Sequence, residues 1–225
     1  MKLVWSPETA SKAYIDTVQS CKVLRGSGMA ELISAMAAGW NAKMIVETWS
    51  EGGVIETSLG LSIARKHTNG RHVCIVPNEA SKLEYSKRMG EQGTSTEIIV
   101  GEAEEVMKDF IEEIDFMVVD CEGIKDLMKV LKVAKLSVKG AVLICKNVNF
   151  RSGNFKWENI VVEEGGSRSR RVVRSVFLPV GKGLDIAHVS AVGGNLGKDG
   201  HGRGGSKRWI KHVDQRSGEV HVIRR

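Results

Sequence analysis

The residues best suited to ligand chemistry lie in the stretch 42–56, AKMIVETWSEGGVIE. A short apolar run ends at Glu47, a small polar loop with Gly52 and Gly53 follows, and the apolar residues then take helical spacing. Glycines let a backbone approach a ligand, and the first turn of a helix offers unpaired N–H groups. A buried strand that leads through such a loop into a helix is typical of the nucleotide-binding corner of a doubly wound α/β sheet.

Two carboxylates stand at the ends of apolar strands. Glu47 and Asp120 each close such a run, and in open α/β sheets ligands bind beyond the carboxyl ends of the strands. A carboxylate at this position can instead cap the following helix or pair with a cation such as Lys146. Both interpretations remain open from the sequence.

The elements that would position these residues alternate regularly along the chain. The five strand cores MIV, VCIV, EIIV, FMVV and AVLI are nearly continuous apolar runs, as in strands that helices cover on both faces. With right-handed crossovers, they predict a mainly parallel, doubly wound, Rossmann-like α/β sheet. The predicted strands are 43–48, 71–76, 97–100, 115–120 and 141–147. The predicted helices are 6 to 21 or 24, 29–40, 55–66, 78–89, 103–111 and 124–136.

The last third of the chain differs in pattern. Segments 170–180 and 183–192 read as strands joined by a glycine turn, which predicts an antiparallel hairpin at one edge of the sheet, and 159–162 could be a short edge strand. The predicted division is therefore an α/β domain at 1–192, a Gly-rich linker at 193–205 and a basic, β-hairpin-like tail at 206–225.

Charge is unevenly distributed along the 225 residues, whose formal net charge is +6. Residues 151–225 carry 15 Lys and Arg against 7 Asp and Glu, whereas residues 1–150 carry 18 against 20. Basic side chains with Gly-rich spacers and Trp209 predict contact with RNA or another polyanion, cations for the backbone and the indole for stacking. A solvated tail explains the same composition. The basic residues concerned are Arg168, Arg170, Arg171, Lys198, Arg203, Lys207, Arg208, Lys211, Arg224 and Arg225.

Other features of the sequence bear on the cellular compartment of the protein. The N-terminus has no long apolar stretch, and no segment approaches about 18 apolar residues, so we expect neither a secretory signal nor a membrane span. Four scattered cysteines without CxxC spacing predict reduced thiols in a cytoplasmic or nuclear protein.

Taken together, the opening Ser6-Pro7, the five alternating strands and the final LPVGKGLDIAHV resemble a known family. The chain resembles the class I S-adenosylmethionine-dependent methyltransferases, specifically the small O-methyltransferases of the catechol and caffeoyl-coenzyme A type. Within that group it looks closest to a plant family of uncharacterised methyltransferase-like proteins. The resemblance covers about residues 6–192 and implies S-adenosyl-L-methionine as cofactor.

The resemblance also implies roles for individual residues near the cofactor. Glu47 matches the acid that orders the loop and the methionine end of the cofactor, and Ser50, Gly52 and Gly53 lie in the loop itself. Trp49 stands where the family has its first loop glycine, so its indole would occupy cofactor volume unless it turns away. Glu102 matches the acid that contacts the adenine amino group.

Two further positions depart from the family pattern. The second strand should end in a carboxylate for the ribose hydroxyls, but Pro77 follows it, and only a shift in register would let Asn78 or Glu79 serve. Asp120 matches the first metal ligand of the metal-dependent members, and Asp120 also borders the cofactor position. Lys146, however, replaces the second ligand, and an ammonium repels magnesium, so we expect no metal site.

Two hypotheses about function follow. The first is an S-adenosylmethionine-binding, methyltransferase-like protein that, if active, transfers a methyl group without a metal to an unidentified acceptor, with Asp120 or Glu122 as the base. The second is a catalytically degenerate methyltransferase fold that acts as a binding or scaffold protein, in contact with nucleic acid through its basic tail. Trp49, Pro77 and Lys146 motivate the second hypothesis.

Overall fold

The computed structural model describes residues 5–21, 28–109, 111, 113–122, 127–148, 157 and 172–191, and the backbone of two strands at 209–213 and 220–224. The helices are α1 (Pro7–Ser20), α2 (Met29–Gly39), α3 (Glu56–Thr68), α4 (Glu79–Met89), α5 (Ala103–Asp109) and α6 (Leu127–Val133). The strands of the main sheet are β1 (Met44–Thr48), β2 (Arg71–Val76), β3 (Glu97–Val100), β4 (Phe116–Asp120), β5 (Ala141–Lys146), β6 (Val172–Leu178) and β7 (Leu184–Val189).

The main sheet has seven strands in the order β3-β2-β1-β4-β5-β7-β6. The first five strands pair in parallel, and β7 pairs antiparallel with both β5 and β6. The predicted fold class, a Rossmann-like sheet that is mainly parallel with an antiparallel C-terminal hairpin, is confirmed. The order reverses between β1 and β4, so the carboxyl ends of β1, β2, β3 and β4 border one crevice.

Helices cover both faces of the sheet, which explains why the strands are apolar on both sides. One apolar cluster joins α1, α2 and α3 to one face through residues such as Ile33, Leu61 and Phe116. A second joins α5 and α6 to the other face, with Met107 and Met117 fully buried. A third, smaller cluster lies under α4 and the loop after β1.

Local signals set most of the helix boundaries. The Ser6 side chain accepts a hydrogen bond from the Thr9 backbone N–H, and Pro7 begins α1, as the sequence predicts. Asn78 caps α4 in the same way, with its side chain accepting from the Ser81 N–H. Both caps satisfy donors that an isolated helix would leave unpaired.

Several predicted boundaries differ from those of the structure, and two of the differences have a clear physical reason. The sixth helix ends at Val133 and not at Leu136, because Leu136 forms a parallel bridge with Ile114 and the Ser137 N–H donates to the Ile114 carbonyl. The fifth strand ends at Lys146, since Asn147 adopts a left-handed backbone with φ of 61°. The helical spacing of residues 124–136 therefore continues past the end of α6.

Residues 195–225 form a second compact unit. In it β8 (Trp209–Val213) and β9 (Val220–Arg224) pair antiparallel, where the sequence predicts two short β-prone arms. The linker at 193–205 and the predicted edge strand at 159–162 lie outside the described residues. No helix in the described part of the chain is both long and apolar enough to cross a bilayer.

Candidate cofactor cleft

A cleft of about 380 Å³ lies at the carboxyl ends of β1, β2, β3 and β4. It occupies the place where open α/β sheets bind their ligands. Its volume is within the range of small-molecule sites, about 300–1,000 Å³. The polar residues that line the cleft are Thr48, Ser50, Glu102, Glu104, Asp120 and Lys129.

The Glu47 side chain belongs to a buried hydrogen-bond network beneath this cleft. Its side chain is fully buried, and its carboxylate accepts hydrogen bonds from Tyr85 Oη at 2.7 Å and Ser58 Oγ at 2.9 Å. His72 Nε2 lies 3.1 Å from the same carboxylate, and His72 Nδ1 lies 3.1 Å from Thr96 Oγ1. One side chain of β1 thus joins β2, α3 and α4.

The charge of Glu47 is stabilised where it lies. Burial raises the pKa of the Glu47 carboxyl, but the hydrogen bond and charge of His72, the charge of Lys146 and the Tyr85 hydroxyl outweigh that effect. The pKa therefore lies below its ordinary value of 4.5. Burial and the nearby Glu47 charge raise the pKa of the Tyr85 hydroxyl well above 10.0, so Tyr85 remains a donor. Glu47 does not line the cleft, and its oxygens are engaged elsewhere.

The Trp49 indole is buried beside the crevice. Only 2% of Trp49 is exposed, and its side chain packs in the third cluster with Ile55 and Val76. Its ring meets the Tyr85 ring edge-on at 5.4 Å, and the Arg88 guanidinium lies 5.9 Å from the indole centre. Trp49 also lines the cleft, so it forms part of the wall, and about 380 Å³ stays open beside it.

The loop after β1 is shaped around that indole. A Cβ atom on Gly53 would lie 2.8 Å from the Ser50 carbonyl oxygen and 3.0 Å from Trp49 Nε1, which leaves no room for a side chain. Gly52 has a φ of 76°, the left-handed region that glycine adopts without strain. Of these loop residues, Trp49 and Ser50 line the cleft, whereas Gly52 and Gly53 are not among its lining residues.

The end of β2 offers no carboxylate to the cleft. Pro77 lines it, whereas the Asn78 side chain is used to cap α4. Glu79 is exposed and lies 3.6 Å from Lys82 on the same helix. The register shift that would bring Asn78 or Glu79 into the site is not present, so neither residue stands at the ribose position that the resemblance implies.

The end of β3 brings Glu102, for which the resemblance implies an adenine contact, to the cleft. The Gly101 N–H donates to the Val76 carbonyl, which fixes the turn after β3 beside β2. Glu102 follows directly, is exposed, and lines the cleft with Glu104 of α5. A carboxylate at this position can accept hydrogen bonds from an exocyclic amino group.

Asp120 is held by three groups at the end of β4. Its Oδ1 accepts from Asn147 Nδ2 at 2.8 Å and from the Glu122 N–H at 3.1 Å. Its Oδ2 lies 3.3 Å from Lys146 Nζ, in a geometry that makes an ion pair and not a hydrogen bond. Glu122 itself pairs with Lys182 Nζ, at 2.8 and 3.0 Å.

This arrangement does not fit a divalent cation. The side chains of Asp120, Lys146 and Asn147 meet each other, so an ammonium fills the place where an oxygen ligand would be needed. Within the part of the chain that the structure describes, no group of three or more His, Cys, Asp or Glu side chains could hold a metal ion.

Some important residues of this region escaped the sequence analysis. His72, Ser58 and Tyr85 belong to no motif of the sequence, yet all three contact Glu47. The link to His72 becomes visible only in the strand register, where Cys74, two residues further on, pairs with Glu47 across β1 and β2. Residues two apart on a strand share a face.

Solved structures confirm the class of fold. A methyltransferase from Geobacter sulfurreducens is 17% identical with a TM-score of 0.54, and the match covers 81% of this chain and 90% of that one. The methyltransferase PaMTH1 from Podospora anserina, solved with S-adenosylhomocysteine, is 16% identical with a TM-score of 0.51, over 83% and 89% of the two chains. The chain therefore has the fold of the class I S-adenosylmethionine-dependent methyltransferases.

The family itself is defined by sequence. Residues 1–225 match the family described as "Protein of unknown function (DUF1442)", and the chain belongs to it. No curated protein matches the chain.

Proposed function

We propose that the cleft binds S-adenosyl-L-methionine and that the protein transfers its methyl group without a metal. The observation that carries this proposal is the position of Trp49, whose buried indole packs against Tyr85 while about 380 Å³ of the cleft stays open. The volume and the adenine end fit the cofactor, because Glu102 lines the cleft just after β3. The ribose end of the cleft does not fit the cofactor, because Pro77 stands where the family has a carboxylate.

The residues of the chain would then divide the work as follows. Glu102 would accept from the adenine amino group, and Ser50 would border the methionine end. Glu47 would act indirectly, by holding β1, α3 and α4 in place under the loop. The cofactor supplies an electrophilic methyl group, so the protein has mainly to align an acceptor and receive its proton.

Two carboxylates are candidates for receiving that proton. Asp120 lines the cleft, but both its oxygens are engaged by neighbours. Glu122 is 47% exposed and pairs with the flexible Lys182, which can move without disturbing the core. We therefore propose Asp120 as the group that orients the acceptor and Glu122 as the base.

Isothermal titration with S-adenosylmethionine and S-adenosylhomocysteine tests the proposal directly. We expect binding of both, weakened about tenfold in Glu102→Ala through the loss of one charge-assisted hydrogen bond. The matched control is Glu105→Ala, because Glu105 is exposed on α5 and does not line the cleft. Heat from neither ligand at high micromolar concentration would refute the proposal and favour a degenerate binding or scaffold protein.

One observation favours RNA or another polyanion as a second partner. In the β8-β9 register, Trp209 lies directly opposite Arg224, and Lys211 lies two residues along the same strand and hence on the same face. We propose that this face contacts the phosphates and bases of single strands. Affinity for a single-stranded RNA should fall with salt and in Lys211→Ala; an unchanged salt slope in that variant would contradict the role of this face.

Several finer assignments belong to the same proposal. They are the likeness to the small O-methyltransferases and to a plant family, a cytoplasmic or nuclear location, and the division into a domain at 1–192, a linker at 193–205 and a tail at 206–225.

A further inference from the structure

The Arg88 side chain of α4 contacts both ends of the loop 49–53 that follows β1. Its Nη1 donates a hydrogen bond to the Gly53 carbonyl oxygen at 2.9 Å, and the same nitrogen lies 3.2 Å from Glu84 Oε1 on α4. The guanidinium also lies 5.9 Å from the centre of the Trp49 indole, within the range of a cation–π contact. One side chain therefore ties the loop to the helix.

The shape of the loop depends on a turn and on the packing of the indole. The Gly53 N–H donates to the Ser50 carbonyl oxygen at 2.9 Å and closes the turn. Gly53 lies directly against the indole, because a Cβ atom there would be 3.0 Å from Trp49 Nε1. Nε1 is buried and makes no hydrogen bond with any residue that the structure describes. The ring is therefore held by packing, to which Tyr85 and Arg88 contribute.

We propose that Arg88 is a positioning residue for the cofactor, because it holds the loop in the shape in which Trp49 and Ser50 line the cleft. The inference rests on the proposed function, in which Ser50 borders the methionine end of the cofactor. Arg88 is not among the residues that line the cleft, so it acts through the loop and not by contact with the ligand. A loop that is ordered before binding loses less conformational entropy when the ligand binds, and the affinity is higher for that reason.

The alternative role for Arg88 is a surface ion pair that serves α4 alone. The side chains of Arg88 and Glu84 are 35% and 31% exposed and lie four residues apart on the helix. Such pairs contribute little to stability. Removal of the guanidinium should therefore change the stability of the protein little under either role, and the affinity for the cofactor and the order of the loop distinguish the two.

The first test is calorimetric titration of the full-length protein with S-adenosylhomocysteine. Arg88→Met keeps a long side chain beside the indole but removes the charge and the donors, and should weaken binding about tenfold. Arg88→Lys keeps a cation and a donor and should recover part of the affinity. Lys87→Met is the matched control, because Lys87 is the preceding residue of α4, is exposed and does not line the cleft. Unchanged affinity in Arg88→Met, or an equal loss in Lys87→Met, would overturn the proposal.

A second measurement needs no ligand. The Gly53 amide proton, which the turn protects, should exchange with solvent about tenfold faster in Arg88→Met and at the original rate in Lys87→Met. An unchanged exchange rate in Arg88→Met would overturn the role of Arg88 in ordering the loop. If the unaltered protein does not bind S-adenosylhomocysteine, the proposed function is refuted and the effect of Arg88 on the cofactor with it, whereas the Gly53 exchange rate still decides whether Arg88 orders the loop.

Discussion

Lys146 Nζ lies 3.3 Å from Asp120 Oδ2, and both side chains are buried at the end of neighbouring strands. In the register of β4 and β5, Asp120 pairs with Lys146, so the two residues are neighbours. The pair places a buried ammonium beside Asp120, which lines the cleft. Its charge also extends to the buried Glu47, whose carboxyl pKa it helps to lower.

The ion pair predicts a large effect when one partner is removed. Lys146→Met should lower the free energy of unfolding by about 3–5 kcal/mol, because the charge of Asp120 is then left buried without its cation. Urea denaturation measures the change. The double variant Lys146→Met, Asp120→Asn should recover a good part of the loss, and Lys139→Met, at an exposed position, should cost little. Strictly additive effects in the double variant would contradict the coupling.

The network around Glu47 predicts a pH-dependent contribution to stability. Glu47→Gln removes a charge that three groups stabilise, and should cost about 2–4 kcal/mol at pH 7. Since the pKa of Glu47 is lowered in the folded protein, its contribution is complete above about pH 4.5 and is lost as the pH falls through the lower, folded value.

The difference between the two proteins should therefore shrink below pH 4.5, which chemical denaturation at a series of pH values measures. Glu51→Gln is the control, because Glu51 is exposed in the same loop. A difference that stays constant from pH 7 to pH 3 would show that the charge of Glu47 contributes nothing.

Replacing Trp49 should lower the stability of the protein without strengthening the binding of S-adenosylhomocysteine. Trp49→Ala removes an indole that is 2% exposed from the third cluster and should cost about 3–5 kcal/mol. Leu83→Ala, at a residue 73% exposed on α4, serves as the control. Because the cleft is open with the indole in place, affinity for S-adenosylhomocysteine should not rise. Tighter binding in Trp49→Ala or Trp49→Gly would mean that the indole blocks the cofactor.

The end of β2 predicts weak recognition of the sugar. The unaltered protein should bind S-adenosylhomocysteine and its 2′-deoxy analogue with similar affinity, because no carboxylate meets the hydroxyls there. Pro77→Asp should strengthen binding of the first about tenfold and of the second less, through charge-assisted hydrogen bonds. Pro77→Ala separates the effect of the carboxylate from the loss of the ring. A strong preference of the unaltered protein for the 2′-hydroxyl would contradict this account.

The fold was readily predicted because its signals are local and repeated. Apolar runs such as VCIV and AVLI identify strands covered on both faces, and residues like Asn78 mark where the next helix begins. Parallel pairing then follows from the alternation of strands and helices. The boundaries fail where tertiary contacts decide them, as when Leu136 pairs with Ile114 instead of continuing a helix.

The site was less accessible to prediction. The sequence places Trp49 and Glu47 at the crevice but cannot give the direction of their side chains, which depends on Tyr85 of α4. The pairing of Lys146 with Asp120 was predictable, because both residues end neighbouring strands of a known order. The direction of a side chain depends on packing, whereas the proximity of two strand ends depends on the topology of the sheet.

The Glu47 carboxylate joins β1 to β2, α3 and α4 through His72, Ser58 and Tyr85. An opening motion that separates α4 from the sheet must break a buried hydrogen bond to a charge, and the same is true of α3. The floor of the crevice therefore opens as one cooperative unit, so amide protons of these helices should exchange with solvent at a shared, slow rate. A ligand therefore binds to a surface that is already ordered, because the conformational entropy of that surface was lost when the chain folded.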